Sequence, residues 1–275
     1  MQAWKLFSHS VLQIIRNFKA VLLITFIPFI ILSVPIFTVM SAVPQIIEGA
    51  VDDPSSGIFF QLEFFGRSIP FESFSSFIWL LLFSLAFAGI VSLWAVVAWH
   101  RFILLNEPPQ NPFSKENLLR MASYFKTLIL LIIIIIPIFL VTSLLSSFVL
   151  AKVLTSPVGA KTILIMILWA TLFSAFFWTI YLRLCPALPA SALGEDVSFF
   201  DGYMETRGAT ITFFIMGIAF TLAGMSYEFL LDIIPVHLFG LSQICEFVAA
   251  WLAFVFNLSL ITTLYGHYVE KRALV

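Results

Sequence analysis

Three carboxylates and one histidine lie close together between residues 228 and 246. Glu228 and Asp232 are four residues apart, which places them on one face of a helix, and His237 and Glu246 follow. Carboxylate oxygens and an imidazole nitrogen are ligands for divalent cations, so the four residues can form a metal site. They would also mark a boundary between membrane and water, and we favour this second interpretation because the residues between them are largely apolar.

Two arginines, Arg101 and Arg183, occupy matched positions directly after long apolar stretches. An arginine fork can bind a phosphate group through two parallel hydrogen bonds. Ser114 and Ser198 can begin helices nearby, whose first backbone N–H groups attract anions. A site for a phospholipid headgroup is therefore one interpretation. The simpler one, which we favour, is that arginines at helix ends extend their charge to the membrane surface.

Motifs for catalysis are absent from the sequence. It contains no phosphate-binding P-loop, no dinucleotide-binding fingerprint, no nucleophile elbow and no zinc-protease motif. Its four histidines are scattered at positions 9, 100, 237 and 267, which leaves little material for a histidine-based catalytic site. We therefore predict that the protein is not an enzyme and uses no cofactor.

The composition indicates where such a chain must reside. Of its 275 residues, 61% are hydrophobic and 11% are charged. Soluble domains carry about 45–50% apolar residues and about 25% charged residues. The 14 basic and 15 acidic residues exclude a nucleic-acid partner, and two cysteines exclude a disulfide scaffold. We predict an integral membrane protein with a single membrane domain over residues 1–275.

Six uncharged apolar stretches are long enough to cross a hydrocarbon core of roughly 30 Å as helices. They cover residues 20–43, 74–98, 127–150, 162–182, 210–227 and 247–266. The fifth is the least apolar, because it contains Thr210, Thr212, Gly217, Gly224 and Ser226. A β-barrel is excluded, since residues 128–136 are continuously apolar rather than alternating. The fold class is therefore all-α, a bundle of six transmembrane helices.

Basic residues set the orientation of the bundle. Six crossings place both termini on one side, and eleven of the 14 basic residues fall on that side. The three on the other side are Arg67, Lys152 and Lys161. By the positive-inside rule, both termini are expected to be cytoplasmic. Asn257 is the most polar residue deep in a span, and we expect it to form a hydrogen bond with a neighbouring helix.

Amphipathic stretches precede the first, third and fifth spans, at residues 7–19, 113–126 and 198–208. Each is expected to form a helix in the plane of the lipid headgroups and to turn through an elbow into its span. Ser198 and Asp201 have the spacing of a capping box. The pattern predicts three units, each made of an elbow helix and a transmembrane hairpin.

The segment from residue 181 to 208 has a recognisable order of residues. Arg183 ends a span, Pro186 and Glu195 follow, and an amphipathic stretch ends at Arg207 and Gly208. This order resembles uncharacterised six-span bacterial inner-membrane proteins, including the membrane domain found beside glycerophosphodiester phosphodiesterases. The resemblance implies a six-span fold and a bacterial inner-membrane location. It implies no reaction, since the catalytic barrel of the phosphodiesterase relatives is not present in these 275 residues.

Two classes of function fit these observations. The first is a non-enzymatic membrane component that contacts lipids, organises other membrane proteins of the envelope, or self-associates. The alternative is a transporter or channel for a small apolar or amphiphilic solute, which would require a polar-lined cavity near the midplane. No ionisable residue lies in a span core, which counts against a proton-coupled pump.

Overall fold

The computed structural model describes residues 2–31, 33, 60–64, 67–71, 74–154, 159–233 and 239–274. Over these residues the chain forms helices and one two-stranded hairpin. Five helical segments are long and apolar enough to cross a membrane, and a bent pair of helices makes a sixth if it is counted as one span. The predicted multi-pass helical protein is thus confirmed, with a hairpin that the all-α prediction did not include.

The first two helices form the expected elbow. Helix α1 (Gln2–Arg16) and helix α2 (Phe18–Ile31) meet at an angle of 80°. Trp4 and Ile15 on α1 are 70% and 62% exposed, while Leu6 is completely buried. An amphipathic helix of this kind lies along a membrane surface. Helix α2 begins the first predicted span and contains a π-helical turn. Apart from residue 33, the rest of that span lies outside the described residues.

The hairpin stands between the first two predicted spans. Strand β1 (Phe60–Phe64) pairs antiparallel with strand β2 (Arg67–Phe71), with Phe60 opposite Phe71 and Leu62 opposite Ile69. Strand β2 contacts the helix that begins at Phe74.

The five long helices contain the other five predicted spans and extend beyond them. They are α3 (Phe74–Leu105), α4 (Lys115–Leu154), α5 (Ala160–Leu184), α8 (Thr210–Asp232) and α9 (Phe239–Leu264). A π-helical turn, Tyr265–Val269, extends α9. High hydropathy identifies only the part of each helix that lies within the hydrocarbon core of the membrane. The helices continue past it until the sequence interrupts the backbone ladder, as Pro108 and Pro109 do shortly after α3.

Two short helices complete the order. Helix α6 (Ala187–Leu193) follows α5, and helix α7 (Phe199–Glu205) precedes α8 with a 3₁₀ turn, Arg207–Ala209, between them. Helix α6 is almost entirely buried and contacts α3, α4 and α9. It ends at Gly194, whose positive φ of 83° is the left-handed cap that favours glycine. We call the end of the bundle that carries α1, α6 and α7 the base.

The predicted repeat of three units is not confirmed, because the three approaches differ. The stretch 113–126 is not a separate elbow helix: α4 runs unbroken for 40 residues. No Pro or Gly stands between residues 115 and 130 to interrupt the backbone ladder there. The third approach is reduced to the seven residues of α7. Ser114 does begin α4, accepting a hydrogen bond from the backbone N–H of Asn117 at 3.3 Å.

Helices α5 and α8 approach each other closely. A Cβ atom added at Gly217 of α8 would lie 2.8 Å from Cα of Ala175 and 2.9 Å from Cβ of Trp178, both on α5. Only glycine fits at such a separation. Beside this contact the ring of Trp178 packs edge-on against Phe220, with 5.0 Å between centroids.

Helices α1 and α9 are joined by polar side chains. The Ser10 hydroxyl donates to Oγ1 of Thr263 at 3.2 Å, and the Ser259 hydroxyl donates to the backbone carbonyl of Ser10 at 2.9 Å. Nε2 of Gln2 donates to the hydroxyl of Tyr268 at 3.0 Å. The two bonds of Ser10 are buried, so water does not compete for them and they hold α1 against α9.

Candidate functional site

The residues of the predicted cation site are only partly described. Glu228 on α8 and Glu246 on α9 are both exposed, and the side chain of Asp232 and all of His237 lie outside the described residues. Among the side chains that the structure does describe, no three of the His, Cys, Asp and Glu type come together in a group that could hold a metal. The four-residue site stays a prediction.

Arg101 is held by protein groups at the base. It is 7% exposed, and its Nε and Nη2 donate to the two carboxylate oxygens of Glu107 at 2.8 and 2.7 Å. Its Nη1 donates to the carbonyl of Ala192 near the end of α6, at 3.2 Å. The arginine therefore joins α3, the loop after it and α6 through a two-bond fork.

Arg183 is engaged differently, without a carboxylate among the described residues. Its Nη2 donates to the carbonyl of Tyr203 at 2.7 Å, and its Nη1 donates to Oγ1 of Thr210 at 3.3 Å. Its guanidinium carbon lies 3.4 Å above the centre of the Tyr203 ring, a cation–π contact. Arg183 thereby fastens α7 and the start of α8 to the end of α5.

The predicted role of the two arginines in binding a lipid headgroup stays a prediction. The geometry shows how much room a phosphate would have beside each of them. The cavity beside Arg101 has a volume of about 10 Å³, which is room for a single water molecule. A phosphate at Arg101 would have to displace Glu107. At Arg183, Nη1 and Nη2 already bond Thr210 and Tyr203, while the buried Nε has no partner in the described part of the chain.

Further pairs at the base fix the chain after α9. The Tyr265 hydroxyl donates to Glu195, Lys271 pairs with Glu205, and Nη2 of Arg272 donates to the carbonyl of Leu104 at 2.9 Å. Partial burial raises the pKa of Glu270, and Arg272 beside it opposes that rise. The pairs are structural, since they connect helix ends to one another.

His100 is buried among the helices just inside the base. Its Nδ1 lies 2.8 Å from Oγ1 of Thr262, whose hydroxyl donates to the carbonyl of Leu258 at 2.7 Å. The histidine must therefore donate from Nδ1, which makes its buried Nε2 an acceptor without a partner among the described residues. Its ring lies against Tyr124, 5.8 Å between centroids. No pattern in the sequence predicted this packing.

A groove between α4, α5 and α9 is large enough to hold a ligand. Its volume is about 400 Å³, within the range of small-molecule sites. Its lining consists mainly of aromatic residues: Ile135, Phe139, Phe173, Ser174, Phe177, Trp178, Tyr181 and Asn257. Phe139 on its rim is 49% exposed, so the groove opens sideways, toward the lipid.

One polar pair stands in the groove. The Tyr181 hydroxyl donates to Oδ1 of Asn257 at 3.0 Å, which confirms the predicted hydrogen bond between Asn257 and a neighbouring helix. The amide nitrogen of Asn257 keeps two N–H donors that contact no acceptor in the described part of the chain. A ligand with a carbonyl or ester oxygen could accept from them.

The polar and apolar parts of the groove are separated along α5. Tyr181 is two residues from Arg183 at the base, whereas Phe173 lies eight residues earlier, about 12 Å along the helix. The polar pair therefore lies nearer the membrane surface than the sequence predicted for Asn257, which was expected deep in its span, and the aromatic walls extend toward the midplane. A groove of this length spans about one leaflet of a roughly 30 Å core.

The chain matches no protein-family model, no curated protein and no solved structure. The resemblance to the membrane domain beside glycerophosphodiester phosphodiesterases therefore stays a prediction.

Proposed function

We propose that this is a non-enzymatic multi-pass protein that binds a membrane lipid in the groove between α4, α5 and α9. The observation that carries the proposal is the order of groups in the groove. Amide donors stand near the membrane surface, and aromatic walls follow toward the midplane. A phospholipid has the same order, with ester carbonyls just below the headgroup and an acyl chain beyond them.

The location of the protein is also part of the proposal. We place it in the bacterial cytoplasmic membrane with both termini and the base on the cytoplasmic side. The distribution of Lys and Arg supports this orientation, and the resemblance stated above supports the membrane. The lipid would then come from the inner leaflet.

The alternative, a transporter or channel, is less well supported by the geometry. A transporter or channel for a small apolar or amphiphilic solute was expected to have a polar-lined cavity near the midplane. The groove instead has apolar walls over most of its length and opens sideways. Lipid binding is what these walls favour, because acyl chains are the material present at that depth.

Filling the groove tests the proposal. Ser174→Trp places a large ring between the aromatic walls, whereas Leu172→Trp adds the same ring on the lipid-exposed side of α5, where Leu172 is 49% exposed. We expect native mass spectrometry after detergent exchange to show phospholipid retained by the wild type and by Leu172→Trp. Ser174→Trp should retain less. Equal retention by two folded variants would contradict the proposal.

A lipid pair that differs only in its carbonyls tests the role of Asn257. The wild type should bind a diacyl phospholipid more tightly than the dialkyl ether analogue, by about fivefold, since one hydrogen bond contributes about 1 kcal/mol. Asn257→Leu should bind both lipids equally. A preference that persists in Asn257→Leu would mean that the amide does not contact the carbonyl.

A further inference from the structure

A second cavity lies at the elbow between α1 and α2, beside the end of α3. Its volume is about 200 Å³, and its polar lining consists of His9, Gln13, Arg16, Asn17 and Asn106. We call this cavity the elbow cleft. It differs from the groove in character, since polar groups form most of its surface.

The elbow cleft combines one cation, the exposed Arg16, with amide donors. No acidic residue lines it, and no carboxylate in the described part of the chain pairs with Arg16. Arg101 is the opposite case, because Glu107 occupies its fork. An arginine that has no carboxylate partner and lies beside amide groups is suited to binding an anion.

The amide of Gln13 is held in place from one side. Its Oε1 lies in hydrogen-bond contact with the Ser259 hydroxyl on α9, whose one proton is shared between Oε1 of Gln13 and the carbonyl of Ser10. Nε2 of Gln13 has no acceptor in the described part of the chain, so both of its N–H groups can donate to a ligand in the cleft. Nδ2 of Asn17 donates to the backbone carbonyl of Gln13 at 2.8 Å, which fixes the position of the elbow itself.

The orientation of α1 sets the depth of the elbow cleft. Trp4 and Ile15 are exposed apolar residues on this amphipathic helix, and α2 leaves it at 80° to cross the membrane. A helix with these properties lies at the level of the lipid headgroups. Phosphate groups are the anions present at that level.

We propose that the elbow cleft binds a phosphate group, with Arg16 as its cation and Gln13 and Asn106 as amide donors. The phosphate belongs to a phospholipid headgroup or to a phosphate-bearing solute, which have this chemistry in common. The site is separate from the groove, and the proposal stands whether or not the groove holds a lipid.

The test is lipid binding by the full chain in neutral detergent, measured by native mass spectrometry with added phosphatidylglycerol. Arg16→Gln should weaken binding about tenfold or more, because it removes a charge-assisted hydrogen bond. The matched control is Arg207→Gln, which removes an exposed charge at the base but does not line the cleft. Dioleoylglycerol lacks a phosphate and should bind both variants as it binds the wild type.

A second variant keeps the test valid if Arg16→Gln does not fold. Gln13→Glu preserves the acceptor for Ser259 and the size of the side chain, but places a negative charge in the cleft. It should also weaken binding of phosphatidylglycerol. Wild-type affinity in a folded Arg16→Gln or Gln13→Glu variant would overturn the proposal.

Competition by inorganic phosphate identifies the source of the phosphate. Displacement of phosphatidylglycerol by millimolar phosphate supports the site with a solute as ligand, and resistance supports it with the lipid as ligand. The groove is tested separately, because Ser174→Trp leaves the elbow cleft intact. Loss of binding in Ser174→Trp alone, with Arg16→Gln at wild-type affinity, would overturn this site and leave the proposed function standing.

Discussion

Helix α5 packs tightly against α8 on one face and loosely against α4 on the other. Toward α8, Gly217 brings the helices so close that an added Cβ would lie 2.8 Å from the Ala175 backbone. Toward α4, a groove of about 400 Å³ separates the helices, and only 6% of the apolar span on α4 is buried. The same helix is thus sealed on one side and open to lipid on the other.

The difference comes from the size of the residues at each contact. Glycine and alanine let α5 and α8 meet backbone to backbone. On the other face, Phe139 of α4 packs against Phe177 of α5 with 5.2 Å between ring centroids, and Phe173 lies 4.9 Å from Phe177. Aromatic rings act as spacers there. Packing residues thus decide where a lipid can enter.

The largest effect is expected on the sealed face. Gly217→Leu should destabilise the protein by about 3 kcal/mol, because overpacking a contact between two backbones displaces a helix. Gly224→Leu, on the same helix, is the control, since an added Cβ there meets nothing within 4 Å. Thermal unfolding in detergent would measure both variants. Similar unfolding midpoints would show that the close contact does not hold α5 to α8.

The groove beside α5 depends on the position of α4, which contacts at the base hold in place. Helix α6 packs against α4, and Arg101 fastens α6 while paired with Glu107. Glu107→Ala leaves a buried cation without its carboxylate, so we expect a loss of about 2 kcal/mol in the free energy of unfolding.

The matched control for this variant is Glu116→Ala, which breaks the exposed pair with Arg120. That pair should contribute only about 0.3–0.5 kcal/mol. Denaturant titration would compare the two variants. Equal losses of unfolding free energy would mean that the buried pair of Arg101 and Glu107 stabilises the protein no more than an exposed pair does.

A smaller effect is expected at the polar pair in the groove. Tyr181→Phe and Asn257→Leu each remove the hydrogen bond between α5 and α9. A double-mutant cycle on unfolding free energies should give a coupling of about 0.6 kcal/mol, the average for such bonds in membranes. A coupling of zero would indicate that the hydrogen bond does not join the two helices.

The smallest effect concerns α7, which lies beneath the sealed pair. Hydrogen bonds from the side chain and backbone of Ser198 lower the pKa of Asp201. Its ionised form therefore stabilises the cap at neutral pH. That contribution is lost as the pH falls from the ordinary aspartate value of 3.8 through the lowered value.

Hydrogen exchange at the start of α7 would measure this pH dependence. Exchange relative to the intrinsic rate should rise in acid for the wild type. Asp201→Asn should show the weaker cap at every pH and no titration in this range. An acid response retained in Asp201→Asn would assign the effect to another group.

The sequence predicted those features that depend on residues near one another in the chain. Long uncharged stretches located the helices, and the Ser198–Asp201 capping box is present, with the Asp201 N–H donating to Ser198 at 3.2 Å. Asn257 was expected to bond a neighbouring helix because an amide in hydrocarbon needs a partner, although the partner could not be named.

Features that depend on three-dimensional packing escaped the sequence analysis. In the sequence, Gly217 only lowers the hydropathy of its span, yet it sets the distance between two helices. The groove draws its lining from residues 135 to 257, and the elbow cleft from residues 9 to 106. Helix α6 has no charged or amphipathic pattern, because it is buried on all sides.

The hydrogen bonds between α1 and α9 have a consequence for biogenesis. Ser10 and Thr263 are separated by 253 positions in the chain. The ribosome must therefore release nearly all of the helices before α1 meets the surface it docks against. Until then, the apolar side of α1 can lie on the lipid surface. Ser10 and Gln13, which later contact α9, remain hydrated during this time. Closure of the bundle is thus a late event in assembly.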